Sequence, residues 1–271
     1  LASTRVAGVF TGGTTGECHS LSTSERIELF HAWGEAAGAN DLVNVAHIGH
    51  NNLPDCRALV EAAQASGADA IGAMAPNFFK PGTVDELINW FALITEVAPE
   101  LPFYFYDIPS MTRVSLDTAE FLRKGRERLP SLTGVKFTNP DQDLLKECMQ
   151  VEDGAFDILF GTDEKLLEGL EIGCRGAVGS SYSVAAPIYL RIIQSFGEGD
   201  LETAKRHQEH SVQFIEILYK YGYLPATKAV LKTIGVDCGP ARPPLVNLAE
   251  TAKASLQNEL EAIGFFDWIS E

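Results

Sequence analysis

The sequence predicts an α/β fold of the (β/α)8 TIM-barrel type with a helical extension at its C-terminal end. Strand-like apolar runs alternate with helical patterns along most of the 271 residues, which implies a parallel sheet with right-handed crossovers. Several strand ends finish in small polar or charged residues: Thr14-Thr15, Tyr106-Asp107, 136–138, Thr162-Asp163-Glu164 and Ser180-Ser181. A barrel opens all its strand carboxyl ends onto one mouth, whereas a doubly wound sheet places a site only at its switch point. So many decorated ends favour the barrel. Beyond Ser180 the pattern becomes purely helical, as an extension would.

The elements follow in order. Strands are expected at 6–12, 42–48, 70–75, 102–106, 132–138, 156–161 and 176–180, each a short apolar run bounded by turn residues. Helical patterns fall at 22–37, 54–66, 83–97, 116–124, 142–149 and 164–172. Asn52 caps the second of these, and Thr83-Val-Asp-Glu86 spells a capping box for the third. The helices of the extension are expected at 186–196, 201–221, 226–234 and 248–263. No low-complexity or Pro/Ser-rich linker interrupts the chain, so it reads as one structural domain. Residues 1–183 would carry the barrel and the site, and 184–271 the last barrel helix and the extension.

Composition narrows the function classes. A formal net charge of −16 argues against nucleic acid, whose phosphates need basic patches. Hydrophobic residues make up 45% of the chain, enough for a sizeable core, yet no apolar run reaches the ~18 residues of a membrane span. The first residues lack the basic and apolar regions of a signal peptide. Cys18, Cys56, Cys148, Cys174 and Cys238 are odd in number, scattered and without a CxxC pair, as expected for reduced thiols in a cytoplasmic protein.

Lys136 is the centre of the functional reading. It lies in Leu132-Thr-Gly-Val-Lys-Phe-Thr-Asn139, where β-branched residues favour an extended strand. A buried ammonium is costly, and burial lowers the pKa of lysine, which yields a nucleophilic amine near neutral pH. The alternative is an edge-strand lysine with its head in solvent. The loop Gly12-Gly-Thr-Thr-Gly-Glu17 follows a strand and precedes a helix. Its glycines permit close backbone approach, and its threonines offer hydroxyls and amides to a carboxylate. It lacks the lysine and spacing of a phosphate-binding P-loop and is no GxGxxG.

In combination, GGTTGE, Tyr106-Asp-Ile-Pro109, Gly134-Val-Lys-Phe-Thr138, Gly161-Thr-Asp-Glu164 and Gly179-Ser-Ser-Tyr182 occur in family order. The chain thereby resembles the dihydrodipicolinate synthase/N-acetylneuraminate lyase family from about Val6 to Tyr182. That resemblance implies a (β/α)8 barrel forming a Schiff base between a lysine and pyruvate or a pyruvate-derived ketone, with no metal or organic cofactor. It implies Lys136 as the Schiff-base lysine, Tyr106 as the catalytic phenol, and Thr14 with Thr15 as the carboxylate grip. Thr138, Gly161, Asp163, Glu164 and Ser180 match substrate-contacting positions of the lyases. It also implies a homo-oligomer, a tetramer, acting on sialic acid, pyruvate and N-acetylmannosamine, without a membrane or nucleic-acid partner.

Within the family, Ser110-Met111-Thr112 puts Met111 where the synthases carry an arginine that grips a second carboxylate. Methionine cannot replace that bidentate clamp, although Arg113 is close by. Asp163 and Glu164 suit a polyol and repel a second anion; as plain helix N-terminal acids they would also be at home. The expectation is therefore the sialic acid lyase branch. The alternatives are another pyruvate-dependent aldolase, such as a ketodeoxygluconate aldolase or a synthase-like enzyme, and a keto-sugar-acid sensor without catalysis.

Phe78 and Phe79 stand where many members have tyrosines, one of which reaches a neighbouring subunit's site, so a proton relay there is in doubt. Tyr182-Ser183 replaces the more usual Tyr-Asn. His47-Ile-Gly-His50 spells a nucleotide-synthetase signature without its KMSKS partner and reads as coincidence. His207 and His210 read as a solvated helix face rather than a metal site, with no third ligand apparent. Finally, the first expected strand already carries GGTTGE, which ends the second strand of the family's barrel. The sequence as given is therefore expected to lack the first strand and helix, roughly 30 residues, or to have the gap filled by another element.

Overall fold

The structure is a computed structural model and describes residues 1–270. Its strands are β1 (Gly8–Thr11), β2 (Val43–His47), β3 (Ala70–Met74), β4 (Phe103–Asp107), β5 (Leu132–Phe137), β6 (Asp157–Phe160) and β7 (Gly176–Ala177). Between them run α1 (Thr23–Ala39), α2 (Leu53–Ala65), α3 (Val84–Thr95), the single turn α4 (Pro109–Thr112), α5 (Thr118–Arg128), α6 (Gln142–Gln150) and α7 (Leu166–Ile172). The chain ends in α8 (Tyr182–Gly197), α9 (Leu201–Lys220), α10 (Tyr223–Thr233), α11 (Glu250–Ala262) and α12 (Phe265–Ser270).

The seven strands form one sheet in the order β1-β2-β3-β4-β5-β6-β7, and every neighbouring pair is parallel. Strand order never reverses, so the sheet has no switch point of the doubly wound kind. Alternation divides its residues between two faces. Phe103, Phe105, Val135, Phe137, Ile158 and Phe160 join the large core shared with the helices. Phe10, Met74, Tyr106 and Ile108, with Cys18, form a small cluster of their own. A further apolar core, including Leu166, Val184, Tyr189, Phe214 and Phe265, ties the C-terminal helices to α7.

The local signals differ from expectation in instructive places. A complete capping box opens α1, where Ser22 Oγ accepts from Glu25 N–H (3.2 Å) and Glu25 Oε2 accepts from Ser22 N–H (2.8 Å). At Thr83 only half the expected box forms, because Glu86 Oε2 accepts from Gly82 N–H instead (2.6 Å). Asn52 caps α2 as expected. The seventh strand pairs over Gly176–Ala177 alone rather than 176–180, although Val178 N–H still donates to Phe160 O (2.9 Å). α12 was not foreseen, and it corrects the reading of His207 and His210. Both are half-buried, and Trp268 from α12 stacks on His210 with ring centroids 3.9 Å apart. Among the described residues no helix is long and apolar enough to cross a membrane.

Candidate active site

Register brings Lys136 and Tyr106 together. They are direct partners across the parallel β4–β5 pair, so both side chains leave the same face of the sheet. Lys136 sits on an interior strand and is only 7% exposed, which excludes the edge-strand alternative. Its Nζ lies 3.9 Å from the Tyr106 ring centroid and 4.3 Å from that of Phe10. Among the described residues it has no hydrogen-bond or ion-pair partner. Burial therefore pulls its pKa down to about 8, against a smaller upward pull from Asp163. At pH 7 roughly a tenth of such an amine is neutral, against about three parts in ten thousand for an ordinary lysine.

Tyr106 is buried, and burial pushes its phenol up to about 12. The phenol lies 3.4 Å from Thr14 Oγ1, which connects it to the Gly12–Glu17 loop. Next in that loop, Thr15 Oγ1 is 2.5 Å from Ser180 Oγ, in the segment that follows β7. The loop turns sharply at Gly12, whose φ of 65° is the left-handed region open to glycine at no steric cost. Just past β5, Thr138 Oγ1 is buried without a regular hydrogen bond, although it lies near enough to the Tyr106 phenol to hold its pKa down slightly. Gly161 faces that hydroxyl so closely that a Cβ there would collide with it. Its place in the site is to leave room for Thr138.

Asp163 and Glu164 lie in a 3-10 turn, Asp163–Lys165, ahead of α7. Asp163 is buried, and its Oδ2 accepts hydrogen bonds from Ser181 N–H (2.8 Å) and Ser181 Oγ–H. Ser181 Oγ in turn lies 2.5 Å from the Tyr189 hydroxyl. Burial raises the Asp163 carboxyl to about 6, against the opposing pull of Ser181 and Lys136. Half of this carboxylate thus belongs to a hydroxyl chain inside the fold, while Glu164 is half-buried. The two acids expected to act alike differ in burial, Asp163 being buried and Glu164 half-buried.

Residues that sequence reasoning passed over complete the site. Phe10 was visible as an apolar residue of β1, but its ring lies 4.3 Å from Lys136 Nζ through tertiary packing between strands that do not pair. Cys18 packs against Tyr106 within the inner cluster, and burial raises its thiol pKa. Asp107 anchors the end of β4: its Oδ2 accepts from Thr118 Oγ1–H (2.8 Å) and Asn139 Nδ2–H (3.0 Å), and burial pushes it up to about 6. His47, from the supposed nucleotide signature, is fully buried with its ring 6.0 Å from that of Tyr106, edge to face. Met74 N–H donates to its Nε2 (3.4 Å), which leaves Nδ1–H to donate to Gly12 O (3.1 Å). Burial and the nearby Arg26 cation hold His47 neutral. Arg26, itself fully buried, donates to Gly49 O (2.9 Å) and His47 O. Within the HIGH tetrad, His47 is thus an internal brace beneath the glycine-rich loop, while His50 faces Asn52 and Asp55.

Met111 is 58% exposed on α4, and Arg113 is exposed just beyond with φ 57°. Phe78 and Phe79 are 75% and 87% exposed and meet edge to face at 5.0 Å. Among the described residues no group of His, Cys, Asp and Glu could hold a metal ion, and none of the cysteines is paired.

A parallel α/β fold that presents an amine of lowered pKa, a buried phenol and a polar loop at its strand carboxyl ends is an enzyme of the class I aldolase type. The chain belongs to the dihydrodipicolinate synthetase family, whose model matches residues 2–263. It is 38% identical to an N-acetylneuraminate lyase from Gallus gallus over 95% of this chain and 85% of the relative. Among solved structures, Proteus mirabilis N-acetylneuraminate lyase superposes with a TM-score of 0.93 at 34% identity, covering 97% of this chain and 88% of that one. A dihydrodipicolinate synthase from Cyanidioschyzon merolae, solved with lysine bound, reaches a TM-score of 0.88 at 26% identity, over 97% and 88% of the two chains.

Proposed function

We propose that this protein is an N-acetylneuraminate lyase, a carbon–carbon lyase that reversibly cleaves sialic acid to N-acetylmannosamine and pyruvate through an imine on Lys136. The observation that carries the reading is the buried Lys136 amine over the Tyr106 ring, in a chain 38% identical to an N-acetylneuraminate lyase.

In this reading neutral Lys136 attacks the C2 ketone of the open-chain sugar acid, and loss of water gives a protonated imine. The C1 carboxylate is held by the hydroxyls and amides of Thr14 and Thr15. The iminium is the electron sink, so no further group is needed to accept the electron pair. Tyr106, assisted by the substrate carboxylate, takes the C4 hydroxyl proton as the C3–C4 bond breaks, and N-acetylmannosamine leaves. The phenol would otherwise stay protonated at neutral pH; a fixed positive charge on the Lys136 nitrogen, about 4 Å from its ring, favours the phenolate. The enamine then takes a proton at C3, and water releases pyruvate and restores the amine.

Thr138, Gly161, Asp163, Glu164 and Ser180 form the wall for the sugar chain in this reading. Met111 leaves the arginine clamp of a semialdehyde carboxylate unfilled. We read the seven parallel strands as a (β/α)8-type architecture on the strength of their sequential order. The exposed Phe78–Phe79 pair supports a homo-oligomer, a tetramer by family resemblance, and unpaired thiols support a cytoplasmic setting. A substrate panel tests the function. Sialic acid should be cleaved, while ketodeoxygluconate and the pair of aspartate semialdehyde and pyruvate should react poorly. Strong condensation with aspartate semialdehyde would refute the reading and give Arg113 the clamp's role.

A further inference from the structure

The Gly12–Glu17 loop is held at both ends, and its far end is tied to a distant part of the chain. Glu17 adopts φ 58°, in the left-handed region that a side-chain-bearing residue seldom occupies. Its carboxylate is divided between two partners. Oε2 accepts from Lys228 Nζ–H on α10 (2.6 Å), and Oε1 accepts from the backbone N–H of Arg242 (2.6 Å). Lys228 also donates to Pro240 O (3.0 Å), and the Arg242 guanidinium donates to Glu25 Oε1 at the start of α1 (2.7 Å). One knot thus joins the loop, α1, α10 and the 240–242 segment across a separation of 211 residues.

The knot differs from the other ion pairs of the surface. The Glu17 and Lys228 side chains are 9% and 15% exposed, whereas those of Asp143 and Lys146 are 90% and 53% exposed. A pair so far withdrawn from water is weakly screened and leaves an uncompensated charge if either partner is lost. A left-handed non-glycine residue persists only where its surroundings over-determine it. Both features therefore hold the loop in one geometry.

We infer that Glu17 and Lys228 are positioning residues for the substrate carboxylate. The pair fixes Thr14 and Thr15, immediately upstream, at the distances directional hydrogen bonds require. This rests on the reading of Thr14 and Thr15 as the carboxylate grip. It extends that reading to the C-terminal helices, which touch none of the reacting atoms described above. The role predicts a selective defect, since a displaced grip weakens ligands that carry a carboxylate and leaves the lysine's own reactivity alone.

The test compares two ketones in borohydride trapping on Lys136: pyruvate, and hydroxyacetone, which carries a hydroxymethyl group in place of the carboxylate. Wild-type trapping of pyruvate checks the underlying reading, and its failure would remove that reading and the clamp together. With trapping established, Lys228→Met should raise the half-saturating pyruvate concentration roughly 5- to 50-fold, as for a small misplacement of binding groups. Hydroxyacetone trapping should stay within about twofold, and Lys228→Arg, which keeps the ion pair, should restore pyruvate to near wild type. If Lys228→Met does not fold, Glu17→Gln, with the same shape and no charge, carries the same expectation. Equal losses for both ketones, or unchanged pyruvate saturation in the folded variant, would overturn the inference.

Discussion

At the scale of single residues, the proposed chemistry rests on one lysine and one tyrosine. Lys136 has a folded pKa of about 8, below its unfolded value of about 10.4, so the unfolded state binds more protons across that interval. The buried charge thus costs stability fully below pH 8, and the cost fades as pH rises from about 8 towards 10.4. Lys136→Met should abolish imine formation yet raise stability by as much as ~3 kcal/mol at neutral pH, a gain that thermal melts should see shrink above pH 8. Wild-type imine formation should accelerate as pH rises towards about 8 and the amine deprotonates, levelling off above that value. Tyr106→Phe should keep pyruvate trapping largely intact and slow sialic acid cleavage by ~10²–10⁴-fold, the usual effect of losing an acid–base group; equal losses in both assays would show that the phenol acts on binding. These two residues were legible because a lysine inside an apolar strand and a tyrosine at a strand end are conspicuous. The engagement of Asp163 with Ser181, and the neutral His47 brace, were not. Each depends on contacts between segments that sequence spacing does not relate.

At the scale of elements, the site is made by strand ends and the loops that follow them. Gly161→Ala would drive a Cβ into the Thr138 hydroxyl and within 3.0 Å of Phe137 O. It should cost about 1–3 kcal/mol as an overpacking change and weaken sialic acid binding more than pyruvate trapping. An unaltered melt together with an unaltered KM would contradict that placement. All seven strands were readable from their apolar runs and turn residues, since a short buried strand needs little else. The shortness of β7 was not, because pairing depends on how its neighbour ends rather than on its own composition. α12 was missed for a similar reason: its stability comes from Phe265 stacking on Phe214 and Trp268 on His210, contacts supplied by α9.

At the scale of the whole molecule, distant segments of the chain converge. Parallel strands in sequential order place the glycine-rich loop, the phenol and the amine at the carboxyl end of one sheet, and α10 braces that loop from outside. Motif order made this convergence readable in advance, since a parallel sheet leaves few ways to arrange strand ends. The C-terminal brace was not readable, because nothing near Lys228 marks it as the partner of Glu17. The proposed chemistry requires that Lys136, and no other lysine, forms an imine with the keto acid. Incubation with pyruvate and borohydride, followed by peptide mapping, tests it most directly. The expected result is a single reduced adduct on Lys136, lost in Lys136→Met; an adduct on Lys124, Lys146 or any other lysine, or none in the folded wild-type protein, would contradict it.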